Sequence, residues 1–166
     1  MIISVLLNHS LSSSDKLSLI IPQIIAVLII LFLILPLHEL AHGWVAYKFG
    51  DRTAKNAGRL TFNPLVSIDP WGALMILLFG FGWARPVPVN PNNFKNPRVG
   101  MAVTAAAGPI SNFLAALIGA FIYVSVLVGS GFSVSQLSFG MELLWTFIAI
   151  NISLAVFKLI TIPPLD

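Results

Sequence analysis

An all-α polytopic membrane protein, with about three transmembrane helices plus a re-entrant or interfacial hairpin and short extended segments, follows from three properties of the sequence. Of the 166 residues, 57% are hydrophobic and only 9% charged, and the mean hydropathy is +0.93; an average soluble domain is roughly a quarter charged. The apolar residues gather in runs that supply three or four spans of ~20 residues and leave no soluble domain. The polar residues between these runs come with prolines and glycines, which stop helices.

The chain has no cysteine, which removes thiolate chemistry and Cys-based metal sites, so any metal must be held by histidine and carboxylate. The net charge of +3 is too small and too scattered for a nucleic-acid partner, and the basic residues report topology instead.

Residues 1–18 lack the basic region and small-residue cleavage site of a removable signal peptide, and are expected to be retained as a segment ahead of a core over 19–166. From Leu19 to about Phe49 the chain is apolar apart from Gln23, Lys48 and the cluster His38-Glu39-Leu40-Ala41-His42. At 1.5 Å per residue these ~31 residues exceed the hydrocarbon thickness of a bilayer, which predicts a long, tilted or kinked helix with Pro36 as the kink. Residues 50–70 turn polar and are punctuated by Gly50, Gly58, Pro64 and Pro70, predicting loop and short strands. Trp71 to Trp83 is apolar, but ~13 residues are too few for a span and suit a hairpin that dips in and returns. Arg85-Pro86-Val87-Pro88-Val89-Asn90-Pro91 is extended, because alternating prolines forbid a helix. Met101 to about Val128 is a second span with a small-residue face, 129–140 an uncharged loop, and Met141 to about Ile162 a third span broken at Pro163-Pro164.

Arg52, Lys55 and Arg59 follow the first span, and Arg85, Lys95 and Arg98 precede the second. The positive-inside rule places both loops in the cytoplasm, so 71–83 must return to its own side. Trp71, Trp83 and Trp145 are expected to anchor at interfaces.

His38 and His42 are four residues apart, so on a helix their rings leave one face and can share one metal ion, with Glu39 beside them to handle the proton of a metal-bound water. From composition alone this H-E-x-x-H pattern is expected by chance on the order of 10⁻³ times. The bland alternative, two core histidines and a structural glutamate, is disfavoured because three ionisable groups within one membrane helix are costly unless paired or metal-bound. A catalytic zinc needs a third protein ligand. His9, Asp15, Asp51 and Glu142 lie at the wrong ends of their segments, which leaves Asp69 and Asp166. Asp166 is favoured because a Pro-Pro break inside a membrane is tolerated where it is buried in protein or lines a watery cavity.

His38-Glu39-Leu40-Ala41-His42, Gly108-Pro109-Ile110-Ser111-Asn112 and Pro163-Pro164-Leu165-Asp166 together resemble the site-2 protease family of intramembrane zinc metalloproteases. Gly58-Arg59-Leu60-Thr61-Phe62-Asn63-Pro64, Ile68-Asp69-Pro70 and Trp83 to Pro91 look more narrowly like its compact bacterial members without a PDZ domain. The resemblance covers about residue 30 to the end. It implies one Zn2+ held by His38, His42 and Asp166, Glu39 as the catalytic base, and a transmembrane protein substrate cut in or beside its span. It also implies an integral protein of the bacterial cytoplasmic membrane, in contact with the lipid bilayer, with its site nearer the cytoplasmic face. A helical substrate has to unwind, and the extended segment at Val87 and Val89 can pair with it by strand addition; a rigid linker is the equal alternative. For Asn112 and Asn151, helix packing is the first expectation and a place in the oxyanion site or cleft the second. Asn63 and Asp69 are expected to serve turns.

The sequence departs from the family's pattern near its end. Lys158 stands where an asparagine thought to stabilise the oxyanion is usual, Thr161 where a proline is common, Ser67 where a histidine is frequent, and the sequence stops at Asp166 without the following glycine. Lys158 could serve the oxyanion, disfavour zinc, or snorkel to the interface. The expectation is weakened zinc affinity and low activity relative to a full-length relative. The competing function is a non-proteolytic zinc-binding membrane protein that holds or escorts membrane segments, with a metal transporter behind it. An intact Glu39 favours the peptidase, since metal binding alone needs no base between the ligands. No residue pattern specifies the substrate, a regulator or an oligomeric state.

Overall fold

A computed structural model describes residues 2–130 and 138–160. Ser12 opens the first long helix: its hydroxyl accepts the Asp15 N–H at 3.2 Å, and the Asp15 carboxylate favours the positive helix end. After the short α1 (Ile2–Leu6), α2 (Ser13–Ile29), one π-helical turn (Ile30–Ile34) and α3 (Leu35–Lys48) form a continuous apolar helix of 36 residues. It begins at Ser13, earlier than the expected Leu19. The irregularity also lies one turn ahead of the expected kink. Pro36 lacks an N–H and its ring crowds the carbonyl four residues back, and the strain is absorbed where the Leu35 N–H reaches past the α register to Ile30 O.

Residues 50–70 contain no strand and instead form two single-turn helices, α4 (Thr53–Asn56) and α5 (Pro64–Ser67). Asn63 accepts the Leu65 N–H at 3.1 Å with Pro64 at the first helical position, an arrangement in which a capping side chain and a preset φ favour a helical turn over a strand. Asp69 caps α6 (Pro70–Phe79) by accepting the Gly72 N–H at 2.9 Å. Ten residues of helix reach ~15 Å, half the hydrocarbon thickness. The chain then turns back at Gly80 and runs extended to Asn90. Gly72 packs against the Trp83 backbone so closely that a Cβ would collide with it, which locks the returning arm against the helix. Residue 85 comes back beside residue 67, the Arg85 N–H donating to Ser67 O at 2.9 Å. The segment therefore dips and returns, and both basic loops share one end of the molecule.

A short 3₁₀ turn (Pro91–Asn93) leads to α7 (Pro97–Gly129), which carries Pro109 inside it, and the last helix is α8 (Ser138–Ile160). Both begin somewhat earlier than expected from hydropathy, α7 behind an Asn96 cap to Val99 N–H at 3.3 Å. The expected break at Pro163-Pro164 lies outside the described residues. The first long helix and α8 meet α6 and the returning arm in one core of Val27, Ile30, Leu31, Ile34, Leu35, Ile76, Ala84, Ile150 and Leu154, with Ala115 of α7 packed against it. Their outward faces are apolar as well: Phe32, Leu33, Phe113, Leu117 and Phe121 are all more than half exposed. A polypeptide apolar inside and out is suited to lipid, and the chain is an all-α polytopic membrane protein with three spanning helices. Trp71, Trp83 and Trp145 are exposed.

Candidate metal centre

The helical repeat of α3 turns His38 and His42 to one side, where their Nε2 atoms stand 3.0 Å apart. The Nδ1 of His42 lies 2.7 Å from the Thr104 carbonyl. A carbonyl only accepts, so Nδ1 carries the proton and Nε2 keeps its lone pair. Backbone support of this kind orients a metal-ligating imidazole. Two nitrogens sharing a tetrahedral zinc are ~3.3 Å apart for ordinary Zn–N lengths, and the observed pair needs only a small adjustment.

Helix α7 provides the facing wall. Thr104, Gly108 and Asn112 recur every four residues and form one stripe, and all three are buried. Gly108 lies where any Cβ would strike Nε2 of His42 and the ring of His38; the absence of a side chain is what lets the two helices close around the histidines. Asn112 neighbours His38, yet neither its Nδ2 nor its Oδ1 has a hydrogen-bond partner among the described residues, and the same holds for His38 Nδ1. Unsatisfied buried polar atoms around a convergent histidine pair fit a site that takes further polar occupants, as a metal with coordinated water would be. Asn151 differs: it is buried in α8 and spends its Nδ2 on its own helix at Phe147 O, 2.9 Å.

Glu39 is 3% exposed, and its Oε2 accepts the Val87 N–H at 3.2 Å. The extended segment thus crosses the site directly over the candidate base, with Val89 half-buried two residues on. Lys158, half-buried on α8, is within electrostatic range of His38. Among the described residues no third His, Asp or Glu completes a metal-binding group with the histidines. The expected third ligand, Asp166, lies outside the described residues, as does Thr161. Asp69, the other carboxylate left open by the sequence, is engaged as the α6 cap.

Asp51 is the residue whose importance sequence reasoning missed. It is fully buried at the end of α3 and accepts four hydrogen bonds: from Thr53 N–H at 3.0 Å, Thr53 Oγ1, Asn93 Nδ2 at 2.7 Å and Asn90 N–H at 2.7 Å. Burial pushes its carboxyl pKa up, but the hydrogen bonds from Thr53, Asn93 and the Asn90 and Thr53 amides outweigh it, and the net direction is down. Together with Arg59, whose Nη2 donates to Arg85 O at 2.6 Å, it ties down both ends of the extended strap. Its signal in the sequence was Asp51-x-Thr53, the spacing of a turn in which the carboxylate accepts the amide two residues on.

A family model and two curated proteins match this sequence. The model of peptidase family M50 matches residues 26–166. The chain belongs to that family. The Bacillus subtilis (strain 168) protein named "Putative zinc metalloprotease YwhC" is 44% identical over 146 residues, 87% of this chain and 65% of its own length. The Mycolicibacterium smegmatis protein named "Putative zinc metalloprotease Rip2" is 30% identical over 87 residues, 49% of this chain and 33% of its own length. The chain thus spans less than two thirds of the curated relatives it matches. No solved structure is a significant match.

Proposed function

We propose that this protein is a zinc-dependent intramembrane endopeptidase that hydrolyses peptide bonds in or beside membrane-spanning substrates. The observation that carries the reading is the convergence of the two Nε2 atoms with His42 fixed by Thr104 O, next to a buried glutamate on the same helix. Both curated relatives bear zinc metalloprotease names. His38 and His42 hold the zinc, with Asp166 as the third ligand. Zinc, when bound, supplies a Lewis acid and brings the pKa of water toward neutrality. Glu39 accepts the proton of the attacking water and returns it to the leaving amine. Asn112, with its unsatisfied carboxamide, and Lys158 line the position where negative charge develops on the scissile carbonyl. Burial of Glu39 and His38 excludes bulk water, so the reaction depends on a local aqueous path rather than open exposure.

The basic residues of the two loops, gathered at one end of the molecule, favour an orientation in the bacterial cytoplasmic membrane with that end, and the nearby site, toward the cytoplasm. The test is cleavage of a membrane-embedded single-span substrate by wild type and Glu39→Gln in parallel. Cleavage by wild type and a loss of at least ~10³-fold in Glu39→Gln are expected, since a base contributes roughly 10²–10⁴-fold. Equal cleavage by both overturns the assignment.

A further inference from the structure

Pro86, Pro88 and Pro91 have no amide hydrogen, so the strap from 86 to 91 has donors only at Val87, Val89 and Asn90. Two of these are spent on carboxylates: Val87 on Glu39 and Asn90 on Asp51. In an extended chain, successive residues present their N–H and C=O to opposite edges. Val87 and Val89 therefore serve one edge, and on the other, served by Pro86, Pro88 and Asn90, the one donor is the Asn90 N–H, already spent on Asp51. A strand can add to this strap with donated hydrogen bonds only along the edge that faces the catalytic carboxylate. On that edge the first donor is already held by Glu39, and the Val89 N–H has no partner among the described residues.

The ends of the strap are fixed more firmly than its middle. Arg85 is bonded through its N–H to Ser67 O and through its carbonyl to Arg59, and Asn90 and Asn93 are bonded to buried Asp51. Between them, Val87 makes a single hydrogen bond, 3.2 Å long.

We propose that the Val87 N–H is a latch held in turn by Glu39 and by the substrate. Without substrate it restrains the carboxylate. When an unwound substrate segment adds as a strand along Val87 and Val89, a substrate carbonyl takes over the Val87 N–H and Glu39 is released for catalysis. This rests on the peptidase reading above and narrows its substrates. A segment that remains helical has its carbonyls bonded within itself and cannot open the latch, so activation of the base is coupled to unwinding of the bond to be cut. Val87 is then a positioning residue acting through its backbone rather than its side chain.

Hydrogen–deuterium exchange over residues 85–91, in the full chain reconstituted in lipid nanodiscs, tests this without relying on turnover. Glu39→Gln keeps a carbonyl oxygen that can accept the Val87 N–H, and its exchange should match wild type within about twofold. Glu39→Ala removes the acceptor and should exchange roughly tenfold faster, the equivalent of one ordinary hydrogen bond. Equal rates in all three proteins overturn the latch. The second arm adds a single-span leucine–alanine peptide with a central Gly-Gly pair to the Glu39→Gln protein. Slower exchange across 87–89 is expected as both amides become bonded. Unchanged exchange, with the same peptide cut by wild type, overturns the handover while leaving the peptidase intact. Failure of wild type to cut the peptide while the Glu39→Ala effect persists instead counts against the peptidase.

Discussion

Gly108 is the position at which one methyl group does most damage. Its Cβ would occupy the space of His42 Nε2 and the His38 ring, so α7 has to retreat or the imidazoles have to rotate. Overpacking of this kind costs about 1–3 kcal/mol, and Gly108→Ala is expected to lower zinc affinity by at least ~10-fold with little change in helix content, measured by competition with a chelating dye. Lys158 acts on the same pair through its field. Removing a cation within electrostatic range of a bound dication is worth on the order of 1 kcal/mol, so Lys158→Asn should tighten zinc binding about fivefold in the same titration. Asp51 gives the strap a pH dependence. Its pKa is lowered in the fold, so its contribution to holding the strap is complete above the unfolded value of ~3.9 and is lost as pH falls through the lower folded value. Protease sensitivity of the strap should rise only below about pH 4 in wild type, and should be raised and flat with pH in Asp51→Asn. The histidine pair and Glu39 were legible in the sequence because a spacing of four on a helix is a geometric statement. The Thr104 carbonyl and the Val87 amide were not, because backbone groups carry no residue identity and are placed only when two distant segments pack.

At the level of the elements, the dip of α6 and its return decides the topology. Because Arg85 pairs with Ser67 and Arg59, engineered cysteines at Lys55 and Lys95 are expected to react with a membrane-impermeant thiol reagent from the same side, and one at Ser130 from the other. Reactivity of the Lys55 and Lys95 sites from opposite sides would show that residues 71–83 cross. The shortness of that apolar run was enough to anticipate the return, since ten helical residues cannot span a bilayer. The strands expected over 50–70 were misread for a definable reason: Asn63-Pro64 is a helix-start signal and Asp51-x-Thr53 a turn signal, and they outweighed the glycines around them. The distortion expected at Pro36 lies one turn earlier and takes the form of a π turn, because it answers to the packing of α2 on α6 and α8 and of α3 on α7 as well as to the missing amide.

The molecule as a whole separates what holds it together from what it does. Its core runs through Val27, Ile30, Ile34, Ile76, Ile150 and Leu154 and includes neither histidine, so metal removal should leave circular dichroism nearly unchanged, unlike a structural zinc domain that unfolds without its ion. Composition made the membrane class plain, and α3, α7 and the strap could each be placed from the sequence; the meeting of α7 with the histidines and of the strap with Glu39 is a property of the packed bundle. The division of labour within that convergence is open to one direct measurement, the zinc-to-protein ratio of the purified full chain in wild type, Glu39→Gln, His38→Ala and His42→Ala. Close to one zinc in the first two proteins and essentially none in the histidine variants is the expected result; full zinc retained by His38→Ala would contradict the histidine pair as the metal-binding element.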